Sequence, residues 1–357
     1  MAIQEAVRAG VNQYYGGLQA VHHLPEQIEN YRQAVIITGK QSSKAFFDYA
    51  PEYQYLPVFY YDETCSWEDA TRLSEELKRI NADFIIGIGG GKIADTVKMT
   101  AHLLDIPFGF IPTLISNCAA STPLAVIYTQ ETHEFIEFTP FSRIAEFVLV
   151  DYTLLSKSPF DYFLAGIGDT YAKYYEARGI LQATSKRTPA YAKLGFATSK
   201  VILEILNTSA EGAISALRKN EVNEEFQEVV DAIIALSGSV GGFALEYGRV
   251  AGAHAFHNAL SLVKNTHSVL HGKKVAYGIL VQLAVEKDFD EIKRLKKLFK
   301  HFDLPTSLQS LHLQIENRAE LAKIAAFAVS EKETFRLIKP DITAEELICA
   351  IEKVEEL

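Results

Sequence analysis

Phe84-Ile-Ile-Gly-Ile-Gly-Gly-Gly-Lys-Ile-Ala-Asp-Thr-Val-Lys98 is the stretch on which the fold turns. An apolar run enters three consecutive glycines, Gly89, Gly90 and Gly91, and leaves them as a helical pattern, which predicts a strand, a tight turn and a helix. Without a Cβ the glycine backbone reaches positive φ and comes close to a ligand, while the unpaired N–H groups at the start of a helix favour an anion. The spacing matches neither the regular dinucleotide fingerprint, which needs glycine where Lys92 stands, nor the four-residue gap of a Walker A loop. A turn that binds nothing is the plainer alternative. Three glycines followed by a lysine are more backbone freedom than such a turn requires.

Upstream, Ala34-Val-Ile-Ile-Thr38 is a second apolar run, ended by the polar turn Gly39-Lys-Gln-Ser-Ser43 that opens a helix and makes a second candidate phosphate edge. Residues 57–61 read as a strand and 67–81 as an amphipathic helix. Residues 1–30 offer only Tyr14-Tyr15-Gly-Gly17 and a helical pattern from Leu18. Downstream, 107–112 is a strand ending in a polar loop at 113–121, 124–129 and 135–138 form a hairpin, and 147–150 is a strand ending at Asp151. Strand and helix alternate, which implies a parallel sheet covered on both faces with ligands at the carboxyl ends of its strands. From about Pro159 the texture changes to helical spacing, at 160–182, 189–207, 223–246, 249–262, 271–286, 288–301, 316–329 and 344–357. The expected organisation is an α/β domain over 1–158 and an all-α domain over 159–357.

At 357 residues the chain is longer than one hydrophobic core supports, in line with two domains. Hydrophobic residues at 48% and charged residues at 22% are ordinary for a globular protein. No apolar run approaches the length that spans a bilayer and the N-terminus lacks a basic-then-apolar leader, so a cytoplasmic protein without a membrane partner is expected. A net charge of −10 repels nucleic acid, so an anionic ligand must be held by local positive groups. Cys65, Cys118 and Cys349 stand far apart without a CxxC pair, which argues against a disulfide framework or a structural zinc cluster.

Three pieces of the helical half carry chemically capable residues in apolar surroundings: Leu164-Ala-Gly-Ile-Gly-Asp169, Ala251-Gly-Ala-His254-Ala-Phe-His257-Asn258 and Val269-Leu-His271-Gly272. Two imidazoles and a carboxylate suit a divalent transition metal and leave a coordination position open to polarise a substrate oxygen. His254 and His257 are three apart on one helix face, so both are eligible as ligands. Spacing alone is equally compatible with hydrogen-bonded interior histidines, because nothing in it brings Asp169 and His271 together.

Together with Gly87-Ile-Gly-Gly-Gly-Lys-Ile-Ala-Asp-Thr-Val-Lys98, Ile111-Pro-Thr113 and His271-Gly-Lys-Lys-Val-Ala-Tyr-Gly278, these pieces resemble the iron-containing alcohol dehydrogenase family, glycerol dehydrogenase branch, in the family's order and across most of the chain. The resemblance implies a dehydroquinate synthase-like architecture: a Rossmann-like nucleotide-binding α/β domain with a parallel sheet, an all-α domain, and a cleft for nicotinamide cofactor, metal and substrate. It implies Asp169, His254 and His271 as ligands of zinc or iron, Gly89, Gly90, Gly91, Asp95 and Thr96 at the cofactor pyrophosphate, and Thr113, Ser116, Thr122, Leu124 and Tyr128 along the cofactor. A homo-oligomer acting on a small molecule is expected.

Within the branch, Ser116-Asn-Cys-Ala-Ala-Ser-Thr-Pro-Leu124 and Arg249-Val-Ala-Gly-Ala-His254 are more similar to the hydroxycarboxylate dehydrogenase type. Cys118 stands where the glycerol enzymes carry a substrate-side aspartate and Arg249 where they carry glycine. Losing a negative charge and gaining a positive one suits a carboxylate substrate, with His257 also on the substrate side. Lys173 lies one turn after Asp169, where several iron-containing members place a histidine, and a protonated ammonium cannot bind metal. It can pair with Asp169, contact the substrate, or stand in for the cation. After Thr38 the turn Gly39-Lys40-Gln41-Ser42-Ser43 has no carboxylate to bind an adenosine ribose, which favours NADP(H), or tolerance of NADP(H) and NAD(H), with Gly39 and Lys40 at the cofactor. The expected activity is hydride transfer between such a cofactor and a 2-oxo or 2-hydroxy acid. A glycerol or polyol dehydrogenase is the alternative.

Overall fold

Among the described residues of the computed structural model there are eight strands, most of them short apolar runs bounded by turns: β1 (Gln13–Gly17), β2 (Ala34–Thr38), β3 (Val58–Tyr60), β4 (Phe84–Gly89), β5 (Phe108–Pro112), β6 (Leu124–Tyr128), β7 (Phe135–Pro140) and β8 (Phe147–Asp151). The structure describes residues 6–184 and 187–357. Six strands pair in the order β1-β8-β5-β4-β2-β3, all parallel, and β6 and β7 form a separate antiparallel hairpin. Every residue of β2, β4, β5 and β8 is buried, as a sheet with helices on both faces requires. The helices α1 (Leu24–Ile28), α2 (Lys40–Tyr49), α3 (Trp67–Arg79), α4 (Gly91–Leu104) and α5 (Tyr152–Leu155) alternate with these strands.

β2 leads through α2 outward to β3, and β3 returns through α3 to β4 on the other side of β2, so the strand order reverses between β2 and β4. Ligands of such sheets bind where the order reverses, outside the carboxyl ends of the strands. Both candidate turns lie there. Thr38 is level with Ile88, and a Cβ on Gly89 would lie 3.2 Å from Ser42 Oγ and inside the Ile93 side chain. Gly89 also has φ +154°, which a side chain rarely adopts.

The remaining helices are α6 (Phe160–Ala183), α7 (Ala190–Arg218), α8 (Glu224–Asp231), α9 (Ser237–Ala244), α10 (Gly252–Leu260), α11 (His271–Val285), α12 (Phe289–His301), α13 (Arg318–Ala328) and α14 (Ala344–Glu356). Contacts group the chain into two units. One holds Ala9–Phe163 with Gly212–Gly238; the other holds Leu164–Glu211 and Ser239–Leu357 with the described residues up to Arg8. The helical stretch 212–238 thus groups with the sheet. Its anchor is Asp231, whose carboxylate accepts from Tyr14 Oη at 2.6 Å and from Tyr152 Oη at 2.8 Å.

One stretch carried no prediction, and one expectation needs correction. Residues 13–17 form a strand, paired with β8 from Gln13↔Phe147 to Gly17↔Asp151. The helical pattern from Leu18 is realised only as a 3-10 turn, Ala20–His23, and the short α1. A half-exposed edge strand with two glycines has no local signature, and only pairing to β8 makes it one. Among the described residues one helical stretch, Glu224–Tyr247, is long and apolar enough to cross a bilayer by length and composition, although no apolar run of that length was expected. With 61% of its apolar window buried inside the protein, it has the character of a core helix.

Candidate active site

Glycine contacts bring α6, α10 and α11 closer than side chains would allow. A Cβ on Gly272 would fall within the van der Waals shell of the Ala165 carbonyl oxygen, one on Gly168 would be 2.7 Å from the Gly272 oxygen, and one on Gly278 would be 2.5 Å from the Ala253 oxygen. Gln282, fully buried on α11, ties the same helices by donating to the Tyr175 oxygen at 2.9 Å and accepting from Ala253 N at 3.2 Å. The short motif glycines are therefore helix contacts, and each lies within four residues of Asp169, His254 or His271 or on the helix that carries one.

These three side chains converge. Asp169 Oδ1 is 3.0 Å from His271 Nε2 and 3.4 Å from His254 Nε2, and one ligand atom from each residue lies within 4.8 Å of the other two. A tetrahedral zinc with bonds near 2.0 Å separates its ligand atoms by about 3.3 Å. Three lone-pair atoms this close repel unless a proton or a cation lies among them, so the donor set fits a divalent metal. The side chains of Asp169 and His254 are 4% and 7% exposed, whereas that of His271 is 41% exposed, so the cluster opens to solvent at His271.

A surrounding ring of polar groups fixes the ligands. Glu176, fully buried two turns beyond Asp169 on α6, accepts from the backbone N–H groups of Ala251 at 2.7 Å and His254 at 2.9 Å, and pairs with His254 Nδ1 at 2.8 Å. One carboxylate thereby satisfies orphan donors at the start of α10 and aims His254 Nε2 at Asp169. His271 Nδ1 meets His257 Nε2 at 3.0 Å, His257 Nδ1 meets Asn258 Oδ1 at 3.1 Å, and Asn258 Nδ2 donates to both oxygens of Glu333 at 3.1 and 3.2 Å. Both ring nitrogens of His257, expected at the substrate, are engaged inside the protein.

Electrostatics follow from burial and pairing. Burial opposes the charge of Asp169, but hydrogen bonds from His254 and His271 and the nearby Lys173 hold its carboxyl well below the usual range. Burial likewise opposes the charge of Glu176, and the charge and bonds of His254 outweigh it, lowering the pKa. Burial disfavours the His254 imidazolium, yet Glu176 and Asp169 raise it to about 9. Lys173, buried, donates to the Arg249 backbone oxygen at 3.3 Å. Burial lowers the Lys274 ammonium to about 8 and raises the Glu333 carboxyl to about 7. Sequence reading assigned no role to Glu176, Asn258, Lys274 or Glu333, although Glu176 lies seven residues from Asp169 on one face of a helix, which was a usable signal.

In the α/β unit the starts of α2 and α4 carry no acidic residue in their first turns, so their positive dipole ends are uncompensated by charge, as a pyrophosphate site needs, although at α2 Ser42 Oγ accepts from the Gly39 N–H at 3.0 Å. Gly39 precedes α2 and Lys40 is exposed at its first position. A Cβ on Gly90 would be 2.7 Å from Leu114 and one on Gly91 2.7 Å from Asn117, so the 113–121 loop packs against the glycine turn. Thr113, buried, donates its N–H to the Gly89 oxygen at 3.0 Å, and Ser116, Cys118 and Thr122 are half-buried on the same loop. Leu124 and Tyr128 are half-buried on β6. Asp95 and Thr96 are engaged internally: Asp95 accepts from Lys98 Nζ at 2.7 Å and Val126 N at 3.1 Å, and Thr96 donates to the Lys92 oxygen at 3.0 Å.

Residues 12–152 match the family described as iron-containing alcohol dehydrogenase. The chain is 36% identical over 354 residues to hydroxycarboxylate dehydrogenase A of Escherichia coli K12, covering 98% of this chain and 97% of that protein. It is 31% identical over 294 residues to glycerol dehydrogenase of Thermotoga maritima, covering 82% and 79%. Among solved structures, a probable glycerol dehydrogenase from Sinorhizobium meliloti superposes with a TM-score of 0.88 at 24% identity over 99% of this chain and 98% of that one. At that identity the likeness speaks for the fold.

Proposed function

Because the chain belongs to the iron-containing alcohol dehydrogenase family, as its identity to hydroxycarboxylate dehydrogenase A over nearly the whole length shows, we propose that it interconverts a small 2-oxo acid and its 2-hydroxy acid. The observation that carries the chemistry is the convergence of Asp169, His254 and His271. These would hold a divalent zinc or iron. When bound, the metal would polarise the substrate oxygen and a nicotinamide cofactor would donate or accept the hydride.

The chain's own residues prepare the site. Glu176 holds His254 with Nε2 toward Asp169, and the Lys173 ammonium offsets part of the charge of Asp169 and Glu176. With His254 neutral, two carboxylates against one ammonium and a divalent cation leave the loaded cluster positive, so an anionic substrate is drawn in. Arg249 supports the acid reading further, as a half-buried guanidinium five residues before His254. For the cofactor, Gly39, Lys40 and Gly89 to Gly91 would receive the phosphates, with Asp95 and Thr96 acting through the packing of α4. The absence of an acid after Thr38 favours NADP(H).

The decisive experiment measures turnover of a panel of 2-oxo acids and polyols with NADH and NADPH, in protein loaded with zinc or iron. The proposal expects the best kcat/KM for a 2-oxo acid. Glycerol outperforming every acid would replace it with the polyol reading, which the 31% identity to a glycerol dehydrogenase supports.

A further inference from the structure

Four hydrogen-bonded side chains lead away from Asp169: His271, His257, Asn258 and Glu333. His257, Asn258 and Glu333 are each at least nine-tenths buried, so no solvent competes for their bonds. We propose that Glu333 and Asn258 are positioning residues that set the tautomer of His257, and through it the direction in which His271 presents Nε2 to the metal. The inference rests on the metal reading of Asp169, His254 and His271.

With Glu333 ionised, the direction of each bond is set from the buried end. A carboxylate accepts only, and both oxygens of Glu333 face Asn258 Nδ2. The amide must then turn Oδ1 to His257, and that oxygen also only accepts. His257 therefore carries its proton on Nδ1 and leaves Nε2 bare. Bare Nε2 accepts from His271 Nδ1 at 3.0 Å, so His271 keeps a proton on Nδ1 and directs Nε2 at Asp169, where a cation would take the place of the Nε2 proton. No proton is gained or lost along this path; only orientation is transmitted. A second carboxylate, Glu176, treats His254 in the same manner but directly. Metal-binding histidines depend on such partners for ring orientation, and removing one weakens metal binding by about 10- to 100-fold.

The test has two parts. Nitrogen NMR of histidine-labelled, metal-free wild type above pH 8, where Glu333 is ionised, reports which ring nitrogen of His257 is protonated, its signals being identified by their loss in His257→Asn. Protonation on Nδ1 is expected; protonation on Nε2 overturns the proposal, whatever the metal does. Zinc affinity is then measured by competition with a chromogenic chelator in wild type, Glu333→Leu and Asn258→Ala, with circular dichroism and melting of each metal-free variant as the fold control. Affinity falling about 10- to 100-fold in folded variants supports the proposal. Wild-type affinity in either variant defeats it. Should wild type bind no zinc at all, the metal reading fails, and the His257 tautomer still decides whether the orienting path exists.

Discussion

Arg249 and Lys173 look alike in the sequence, each a cation near a ligand motif, and the fold separates their work. Lys173 is buried, donates to the Arg249 backbone and offsets the charge of Asp169 and Glu176, so removing it would leave two buried carboxylates undercompensated. Arg249, half-buried, is the better candidate for a substrate carboxylate. A charge-assisted bond is worth about 1.5–3 kcal/mol, so Arg249→Ala should cut kcat/KM for a 2-oxo acid by about 10- to 150-fold. Turnover of the matching uncharged methyl ketone should barely change. Equal losses on acid and ketone would show that Arg249 shapes the site without recognising the carboxylate.

Helix placement sets the ligand distances, and it depends on glycine. With the Ala165 oxygen against Gly272, a methyl group there must push α11 away from α6 and carry His271 from Asp169. Gly272→Ala is therefore expected to weaken zinc binding by more than tenfold and to lower the melting temperature, since overpacking costs about 1–3 kcal/mol. Unchanged zinc affinity would mean that the helices tolerate the shift. At the other unit, the proposed cofactor preference can be tested at the start of α2. Gly39 is a poor place to test it, because a Cβ there would lie 2.9 Å from the Tyr61 ring. Exposed Lys40 is a better one, and Lys40→Glu suits the helix dipole. It should raise KM for NADPH at least tenfold more than for NADH, an outcome read from paired titrations. A wild type that uses NADH alone would remove the premise.

For the molecule as a whole, the buried cluster couples stability to pH and to metal. The carboxyls of Asp169 and Glu176 are depressed, so their contribution is present above the unfolded carboxylate range near pH 4 and is lost as pH falls through their folded values. The His254 imidazole is raised from 6.5 to about 9, so its contribution is full below 6.5 and is lost as pH rises toward 9. Metal-free protein should therefore melt at progressively lower temperature from pH 6.5 to about 8, above which the depressed Lys274 ammonium contributes with the opposite sign, measured by thermal denaturation in chelator. Zinc requires neutral His254 and displaces its proton, so the added stability on loading should grow over the same interval. A metal-free melting temperature that does not change over this range would show that His254 is not held as an imidazolium.

The sequence by itself determined the alternation that builds the parallel sheet, the two glycine-containing turns, the helical second half, and the residue types of a metal site. Those features are legible because they are local: apolar period, turn chemistry and helix starts act over a few residues. Strand β1 was not legible, since its five residues become a strand only by pairing with Phe147–Asp151, more than a hundred positions away. Nor could spacing show that Asp169 meets His271, that Glu176 holds His254, or that His257 faces inward with both nitrogens bound. Those facts were decided by tertiary packing, because the close approach of α6, α10 and α11 at Gly168, Gly272 and Gly278 is a property of three helices together. Each helix alone presents its side chains, and only their contact selects which of them share a proton or a metal.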